Sequence, residues 1–405
     1  MPVTDPDKLS GADWRRVGVS IYLPTALSFV GISAVTPLLA LTAHDLGATT
    51  PEAAFVVSLI SVGGLLGALP AGMVSARFGE RKALVGALLL DAACMLTAAL
   101  ATTLWLLGAA VFVLGLSGAV LMIARQSFLT EFVPFRYRAR ALSTLGGVFR
   151  IGTFVGPLAG AAVVSLFDLR AAYLLAIATN LVAAAISALL PDLAPTEAAA
   201  SGPVNMRTVL REHAHTYATI GLGAAALMLV RASRDSLLPL WSAQIGLDAA
   251  QTSLVFAASS GVDLTLFYLG GSLMDRLGRR AVAVPAMVIM GTCFGLLPLT
   301  ASLAGLGAVA AALGLGNGIS SGVVMTLGSD ASPAAGRHHF LAGWRLTTGL
   351  GQALGPLAIA GITTVAPLAW ACVAVGALGW VGGAWLWRWA SPEQLRSVAD
   401  RVASP

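Results

Sequence analysis

Two long apolar segments of this chain are separated by the stretch Gly271-Ser-Leu-Met-Asp275-Arg276-Leu-Gly278-Arg279-Arg280. A similar stretch occurs 199 residues earlier, Gly72-Met-Val-Ser-Ala-Arg77-Phe-Gly79-Glu-Arg81-Lys82. Two further motifs recur at the same offset: Gly152, Gly156 and Pro157 as Gly351, Gly355 and Pro356, and Glu131, Pro134 and Arg138 as Asp330, Pro333 and Arg337. One constant offset across three separated motifs indicates two tandem halves.

The composition is that of a membrane protein. Of the 405 residues 57% are hydrophobic and 11% are charged, whereas a soluble domain has about 25% charged residues. Twelve apolar runs approach the ~20 residues that cross a bilayer. They centre near residues 30, 63, 92, 115, 153, 180, 229, 261, 290, 315, 352 and 377. The sequence therefore predicts an all-α membrane protein with twelve transmembrane helices in two pseudo-symmetric six-helix bundles.

Cations concentrate at the N-terminus and in every second loop. Eighteen of the 24 Lys and Arg residues lie there: Lys8, Arg15, Arg16, Arg77, Arg81, Lys82, Arg136, Arg138, Arg140, Arg207, Arg211, Arg276, Arg279, Arg280, Arg337, Arg388, Arg396 and Arg401. The alternate loops hold Arg170 alone. Because positively charged loops stay cytoplasmic, we expect a multi-pass protein of a bacterial inner membrane with both termini cytoplasmic.

A hydrophilic, Ala/Pro/Ser-rich stretch divides the chain in the middle. It predicts an N-terminal bundle over 1–190, a cytoplasmic linker over 191–215 and a C-terminal bundle over 216–405. Since each half holds six helices, an even number, both halves have the same orientation. Parallel repeats of this kind place a substrate site near the membrane midplane.

Several other functions find no support in the sequence. The polar N-terminus is not a secretory signal peptide, and the cysteines and histidines have no zinc-ligand spacing. The excess of basic over acidic residues lies in loops, so it does not indicate nucleic-acid binding. No P-loop or other cofactor motif occurs in the sequence. Gly314-Leu-Gly316-Asn-Gly318 lies inside an apolar run, so we interpret it as a closely packed tenth helix.

The repeated loop resembles the signature loop of the major facilitator superfamily, and the resemblance extends over nearly the whole chain. The first copy has Ala76 where that family usually has an acid. The resemblance implies that these loops latch the cytoplasmic side shut, through Gly72, Arg77, Gly79 and Arg81 in the first copy and Gly271, Asp275, Arg276, Gly278 and Arg279 in the second. We expect Gly72 and Gly271 to allow close helix approach and Gly79 and Gly278 to suit a positive φ.

The fifth helix resembles the antiporter motif of proton-coupled drug exporters in the same superfamily. Its residues Gly152, Gly156 and Gly160 recur every four positions, so they form one smooth face for tight packing. Pro157 removes a backbone donor and favours a kink. A third family motif, an arginine in the fourth helix, is replaced by Val111.

Eight charged residues lie within the predicted helices, where each costs ~2.5–3.5 kcal/mol at a helix centre and is a functional candidate. The candidates for a substrate cavity are Arg125, Arg150, Arg231, Arg234, Asp235 and Arg345. The candidates for proton coupling, in order of preference, are Asp263, Asp235 and Asp91. Spacing predicts that Arg231 pairs with Asp235, which leaves Arg234 as net positive charge. Arg125 and Arg345 have a second interpretation, in which they extend to the headgroups.

The sequence predicts a proton-coupled exporter of small organic molecules that works by alternating access as a monomer in the lipid bilayer. The expected partners are a small-molecule substrate and protons; no cofactor, metal or nucleic acid is expected, and the protein is not predicted to be an enzyme. One alternative is a carrier, uniporter or symporter, for an anionic metabolite. Another is a membrane sensor or scaffold that transports nothing.

Overall fold

A computed structural model describes residues 18–133, 135–189, 211–332 and 337–390. Twelve long helices lie within these ranges. Their bounds are α1 Gly18–Asp45, α2 Thr50–Phe78, α3 Glu80–Ala99, α4 Leu104–Phe132, α5 Phe135–Leu166, α6 Leu169–Ala188, α7 Ala214–Gln244, α8 Ala249–Leu277, α9 Arg279–Leu296, α10 Leu303–Asp330, α11 Arg337–Thr363 and α12 Leu368–Trp389.

The all-α fold with about twelve membrane helices is confirmed. Eleven of the helices are long and apolar enough to cross a membrane. The remaining one, α11, has 27 residues and so extends about 40 Å, but Arg337, His338, His339 and Arg345 make it more polar. A short break at Thr102 and Thr103 separates α3 from α4, and the Thr103 hydroxyl caps α4 by accepting the Leu106 amide at 3.3 Å.

Glycines at the repeated loops have the conformation that their position requires. Gly79, between α2 and α3, has φ +79°, and Gly278, between α8 and α9, has φ +87°. Because L side chains rarely adopt this region, the prediction for these two glycines is confirmed. The prediction for Gly72 and Gly271 is wrong, since a Cβ added at either would meet no atom of the described residues within 4 Å. Close approach in α8 occurs one residue earlier, where Gly270 faces the Ile319 backbone.

The two halves repeat the same helix pairs. Strong packing joins α1 to α5, α1 to α6, α3 to α4 and α3 to α6, and the equivalent pairs α7–α11, α7–α12, α9–α10 and α9–α12 recur in the second half. Added Cβ atoms would lie 2.7 Å from the Val30 carbonyl at Gly156 and 2.5 Å from the Leu229 carbonyl at Gly355. Gly156 and Gly355 are 199 residues apart in the sequence, and so are Val30 and Leu229.

The predicted glycine face of α5 is confirmed. Phe29 packs on Gly152, and a Cβ added at Gly160 would lie 2.9 Å from the Ala34 carbonyl. Together with Gly156, these glycines let the backbone of α1 approach that of α5 closely. The helix continues through Pro157.

The chain divides into two compact units. Unit 1 contains residues 1–48, 59–200 and 249–257, and unit 2 contains 49–58, 201–248 and 258–405. The predicted domain bounds, 1–190 and 216–405 around a linker, stay a prediction, and they differ from the units at 49–58 and 249–257. Of the predicted linker 191–215, residues 191–210 lie outside the described part of the chain.

Candidate functional site

Three helices of unit 2 bring polar side chains together inside the apolar bundle. Arg231 of α7 donates from Nε to the Asn317 Oδ1 of α10, at 2.6 Å. Asn317 donates in turn from Nδ2 to the Asp263 Oδ2 of α8, at 2.8 Å. Since a guanidinium only donates and a carboxylate only accepts, the amide is the neutral group that joins them with both bonds satisfied.

Glycines of α10 make this contact close. A Cβ at Gly314 would strike the Ser259 carbonyl, and one at Gly318 would lie 2.9 Å from the Asp263 carbonyl and 3.0 Å from its Cα. The backbones of α8 and α10 therefore touch at the level of Asp263, which is 7% exposed. The interpretation of the segment around Asn317 as a closely packed helix is confirmed, although α10 is interrupted by a turn between Ile319 and Val323.

The predicted pairing of Arg231 with Asp235 is wrong. Asp235 pairs instead with Arg234, whose Nε lies 3.4 Å from Oδ1, while Nη1 of Arg234 donates to the Ser259 hydroxyl at 3.4 Å. Spacing of four residues brings two side chains of one helix near each other, but Arg231 turns toward Asn317 of α10. Arg234 therefore does not present an uncompensated positive charge, as the predicted pairing had implied.

We call Arg231, Arg234, Asp235, Asp263 and Asn317 the polar cluster. Its two arginines balance its two aspartates when both are ionised. Exposure differs within it, since the Asp235 side chain is 43% exposed and that of Arg234 is 17% exposed. The accessible side of the cluster thus carries the Asp235 carboxylate, and the buried side carries the Asp263 carboxylate.

Charged residues predicted for unit 1 lie on other helices. Asp91 of α3 and Arg125 of α4 are each 3% exposed, so the interpretation in which Arg125 extends to the headgroups is wrong. The Arg125 guanidinium carbon lies 5.6 Å from the centre of the Phe29 ring. Arg150 donates to the Gly146 carbonyl of its own helix at 3.3 Å. Arg345, on α11 of unit 2, is exposed.

The loop residues show one ion pair that sequence reasoning did not predict. Asp275 is exposed, and the neighbouring Arg279 instead pairs with Asp330 at the end of α10, with Nε 2.7 Å from Oδ2. Arg77 lies over the Phe78 ring at 5.7 Å. The latch role of these loops stays a prediction.

Asn317 and Ser259 were not predicted as site residues. Asn317 has the single polar side chain within the glycine-rich stretch 314–318, which is the signal that could have identified it. In the described ranges, no three His, Cys, Asp or Glu residues lie together in a way that could hold a metal ion.

The chain is similar to a known family model and to known proteins. The family model of the Major Facilitator Superfamily matches residues 21–230 and 220–404. The Multidrug resistance protein MdtG of Enterobacter lignolyticus (strain SCF1) is 28% identical over 163 residues, which cover 39% of this chain and 39% of that protein. MdtG of Proteus mirabilis (strain HI4320) is 28% identical over 163 residues, with 39% and 40% covered. The chain thus matches about two fifths of the length of these relatives.

Solved structures resemble the fold over most of its length. A POT family transporter in complex with 5-aminolevulinic acid has a TM-score of 0.76 at 12% identity, covering 94% of this chain and 96% of that one. The nucleoside transporter NupG, in a mutant form, has a TM-score of 0.73 at 14% identity, covering 91% and 99%. At these identities the likeness concerns the fold alone.

Proposed function

Because this chain belongs to the Major Facilitator Superfamily, and is therefore a multi-pass secondary transporter and not an enzyme, we propose that it exports small organic molecules in exchange for protons. The partial likeness to multidrug resistance proteins supports export of drug-like compounds. Two parallel six-helix repeats suit alternating access around a midplane site. The remaining question is which group carries the proton.

The observation that carries the proposal is the hydrogen-bonded chain Arg231–Asn317–Asp263. A carrier without a nucleotide site needs a group that changes protonation as access alternates. Burial of a carboxylate favours its protonated form, and contact with water or with a cation favours its ionised form. Asp263 is buried and is joined to a cation through one amide, so a small shift of α7 or α10 alters its surroundings. We assign proton coupling to Asp263, with Asp235 second and Asp91 third.

The chemistry of the accessible side suggests the charge of the substrate. Asp235 is its most exposed charged group, and Arg234 is partly compensated by it. A cationic or uncharged amphipathic molecule would meet a carboxylate there without desolvating an unmatched cation. A net positive charge on Arg234, as the predicted pairing implied, would instead have favoured an anionic group.

Proteoliposomes with an imposed pH gradient test the proposal. Purified protein should drive accumulation of a lipophilic cationic dye, and dye movement should dissipate the gradient, as read by a pH-sensitive dye inside the vesicles. Thr265→Val is a matched control, since Thr265 is exposed on the same helix as Asp263 and, among the described residues, bonds only the Val262 carbonyl one turn earlier. Dye flux that ignores the pH gradient would contradict proton antiport, and flux confined to organic anions would favour the anion carrier.

The proposed orientation places both termini and the 191–215 linker on the cytoplasmic side of a bacterial inner membrane. The distribution of loop cations supports it. A single-cysteine variant, Ser201→Cys in a background without the native cysteines, should react with an impermeant thiol reagent in inverted vesicles. Reaction from the periplasmic side alone would contradict the orientation.

A further inference from the structure

Unit 1 contains a second buried acid and base that the polar cluster does not include. Asp91 of α3 and Arg125 of α4 are both almost completely buried, and their charges interact. Charged side chains inside a membrane helix bundle are rare and expensive, and they are retained where they carry a function. Their equivalents in the second half, 199 residues later, are Met290 and Val324, so the fold itself does not require them.

The acid and the base lie near each other without closing an ion pair. Within the described part of the chain, Nη2 of Arg125 and Oδ1 of Asp91 are buried and have no hydrogen-bond partner. A structural bridge between buried charges stabilises only when good geometry and further hydrogen bonds satisfy both groups. The pair of Asp91 and Arg125 is therefore not a fully satisfied structural bridge.

The surroundings of Asp91 contain few other ionisable groups. Ser117 of α4 lies beside the carboxylate and donates to the Ala87 carbonyl at 2.9 Å, and Cys94 follows on α3. Within the described residues α6 also packs on α3; Arg170 is the sole charged residue of α6, and Tyr173 hydrogen-bonds Thr42. Val74 and Phe78 of α2 line the same cavity as Ala87 and Ser117. Burial therefore acts most strongly on the charge state of Asp91, followed by the hydrogen bond from the Ser117 hydroxyl and then by the Arg125 cation.

Arg125 connects this acid to the antiporter-like motif of α5. Its guanidinium faces the Phe29 ring of α1, and that ring packs on Phe149 of α5 with centroids 4.5 Å apart. Phe29 also fills the space left by the missing side chain of Gly152. On α5, the charged residue Arg150 follows Phe149 directly in the sequence. Residues 18–43 of α1 include no charged side chain. Arg125, Phe29 and Phe149 therefore form a continuous series of contacts from α4 through α1 to α5.

We propose that Asp91 is a second proton-binding site, and that proton binding there releases Arg125 toward water and loosens the α1–α5 contact through Phe29. With Asp91 ionised, the buried charges of the pair balance. A proton on Asp91 leaves Arg125 as a buried cation without a counterion, which is strongly disfavoured. Because the two equilibria are linked, proton binding to Asp91 makes exposure of Arg125 to water more favourable, and exposure of Arg125 makes proton binding to Asp91 more favourable. The inference deepens the proton coupling proposed above, but it concerns a different carboxylate in the other unit.

Infrared spectroscopy and spin-label distances on the purified protein, without substrate or gradient, test this site separately from transport. Acidification should raise the infrared band of a protonated carboxyl group, and Asp91→Asn should remove that component while Asp263→Asn retains it. Arg125→Leu should raise the proton affinity of Asp91, since the nearby cation is gone. Absence of any Asp91 component would overturn the proposal, whatever the result of the flux assays.

Spin labels at Leu23 of α1 and Val155 of α5, both exposed, should report a distance distribution that changes on acidification. Asp91→Asn should show the acid distribution at every pH. If Asp91→Asn does not fold, the double variant Asp91→Asn/Arg125→Leu removes both charges together, and its distribution should not respond to pH. A pH response that persists in either variant, or a wild-type distribution that never changes, would overturn the proposal.

Discussion

Asn317 of α10 donates a hydrogen bond to the buried carboxylate of Asp263 of α8, with its amide nitrogen 2.8 Å from Oδ2. Its amide oxygen accepts from Arg231 of α7 at 2.6 Å. One side chain thus joins the acid of one helix to the base of another. This relationship links the proton chemistry of Asp263 to the position of α7. Asn317 can therefore be substituted to test the link while the charges of Asp263 and Arg231 are kept.

Asn317→Ala should uncouple Asp263 from Arg231. Loss of one partner of a buried hydrogen bond costs about 1–3 kcal/mol, and one pH unit corresponds to about 1.4 kcal/mol. Because the amide donates to the carboxylate, its removal should move the pH dependence of transport toward higher pH. Transport against pH in proteoliposomes measures this, with Thr292→Ala on α9 as the control, since Thr292 is exposed and bonds only the Val288 carbonyl of its own helix. An unchanged pH profile in Asn317→Ala would show that the amide does not tune the carboxylate.

Gly318→Ala should destabilise the α8–α10 contact. The added methyl group would meet the Asp263 backbone at 2.9–3.0 Å, and such overpacking costs about 1–3 kcal/mol. Gly307→Ala is the matched control on the same helix, because nothing lies within 4 Å of its added Cβ. Thermal unfolding in detergent should show a lower midpoint for Gly318→Ala alone. Equal midpoints for the two variants would mean that the contact has room to relax.

Gly152→Ala should weaken the α1–α5 contact by about 1–3 kcal/mol through overpacking, since the added methyl group would strike Phe29. Gly146→Ala, six residues earlier on α5, has open space around its added Cβ and serves as the control. We expect a loss of transport rate with Gly152→Ala that exceeds the loss with Gly146→Ala at matched expression. Full activity of Gly152→Ala would argue against a tight glycine face as a requirement for transport.

Asp235→Asn should weaken binding of a lipophilic cation more than Arg234→Ala does. Removal of the accessible carboxylate takes away the charge that faces the ligand, and it leaves Arg234 without its partner at 3.4 Å. Equilibrium binding of a fluorescent cation to the purified protein compares the two variants. Stronger weakening by Arg234→Ala, partly restored in Arg234→Lys, would instead favour an anionic or zwitterionic substrate.

Much of the fold follows from sequence because it rests on local physical rules. Twelve apolar runs of spanning length and glycines at one constant offset predict the helices and their repetition. Gly79 and Gly278 were predictable because a tight turn between two helices requires positive φ. Close packing of α1 on α5 follows from glycines that recur every four residues.

The site was only partly predictable because its contacts join different helices. Asp263 stands out as an acid within an apolar run, but its partner Asn317 lies in a glycine-rich segment that has an ordinary packing interpretation. Helical spacing placed Arg231 near Asp235, yet it could not show that α10 offers a better acceptor. For Arg125, depth along the helix left open whether the side chain extends outward or, as found, lies buried between helices.

The most direct test of the account measures gradient-driven flux by Asp263→Asn in proteoliposomes. Asparagine keeps the shape of aspartate but cannot bind and release a proton near neutral pH. We predict that Asp263→Asn abolishes transport driven by an imposed pH gradient, while exchange of labelled for unlabelled substrate without a gradient remains measurable. Full pH-gradient-driven flux in Asp263→Asn would contradict the assignment of Asp263 as the coupling residue.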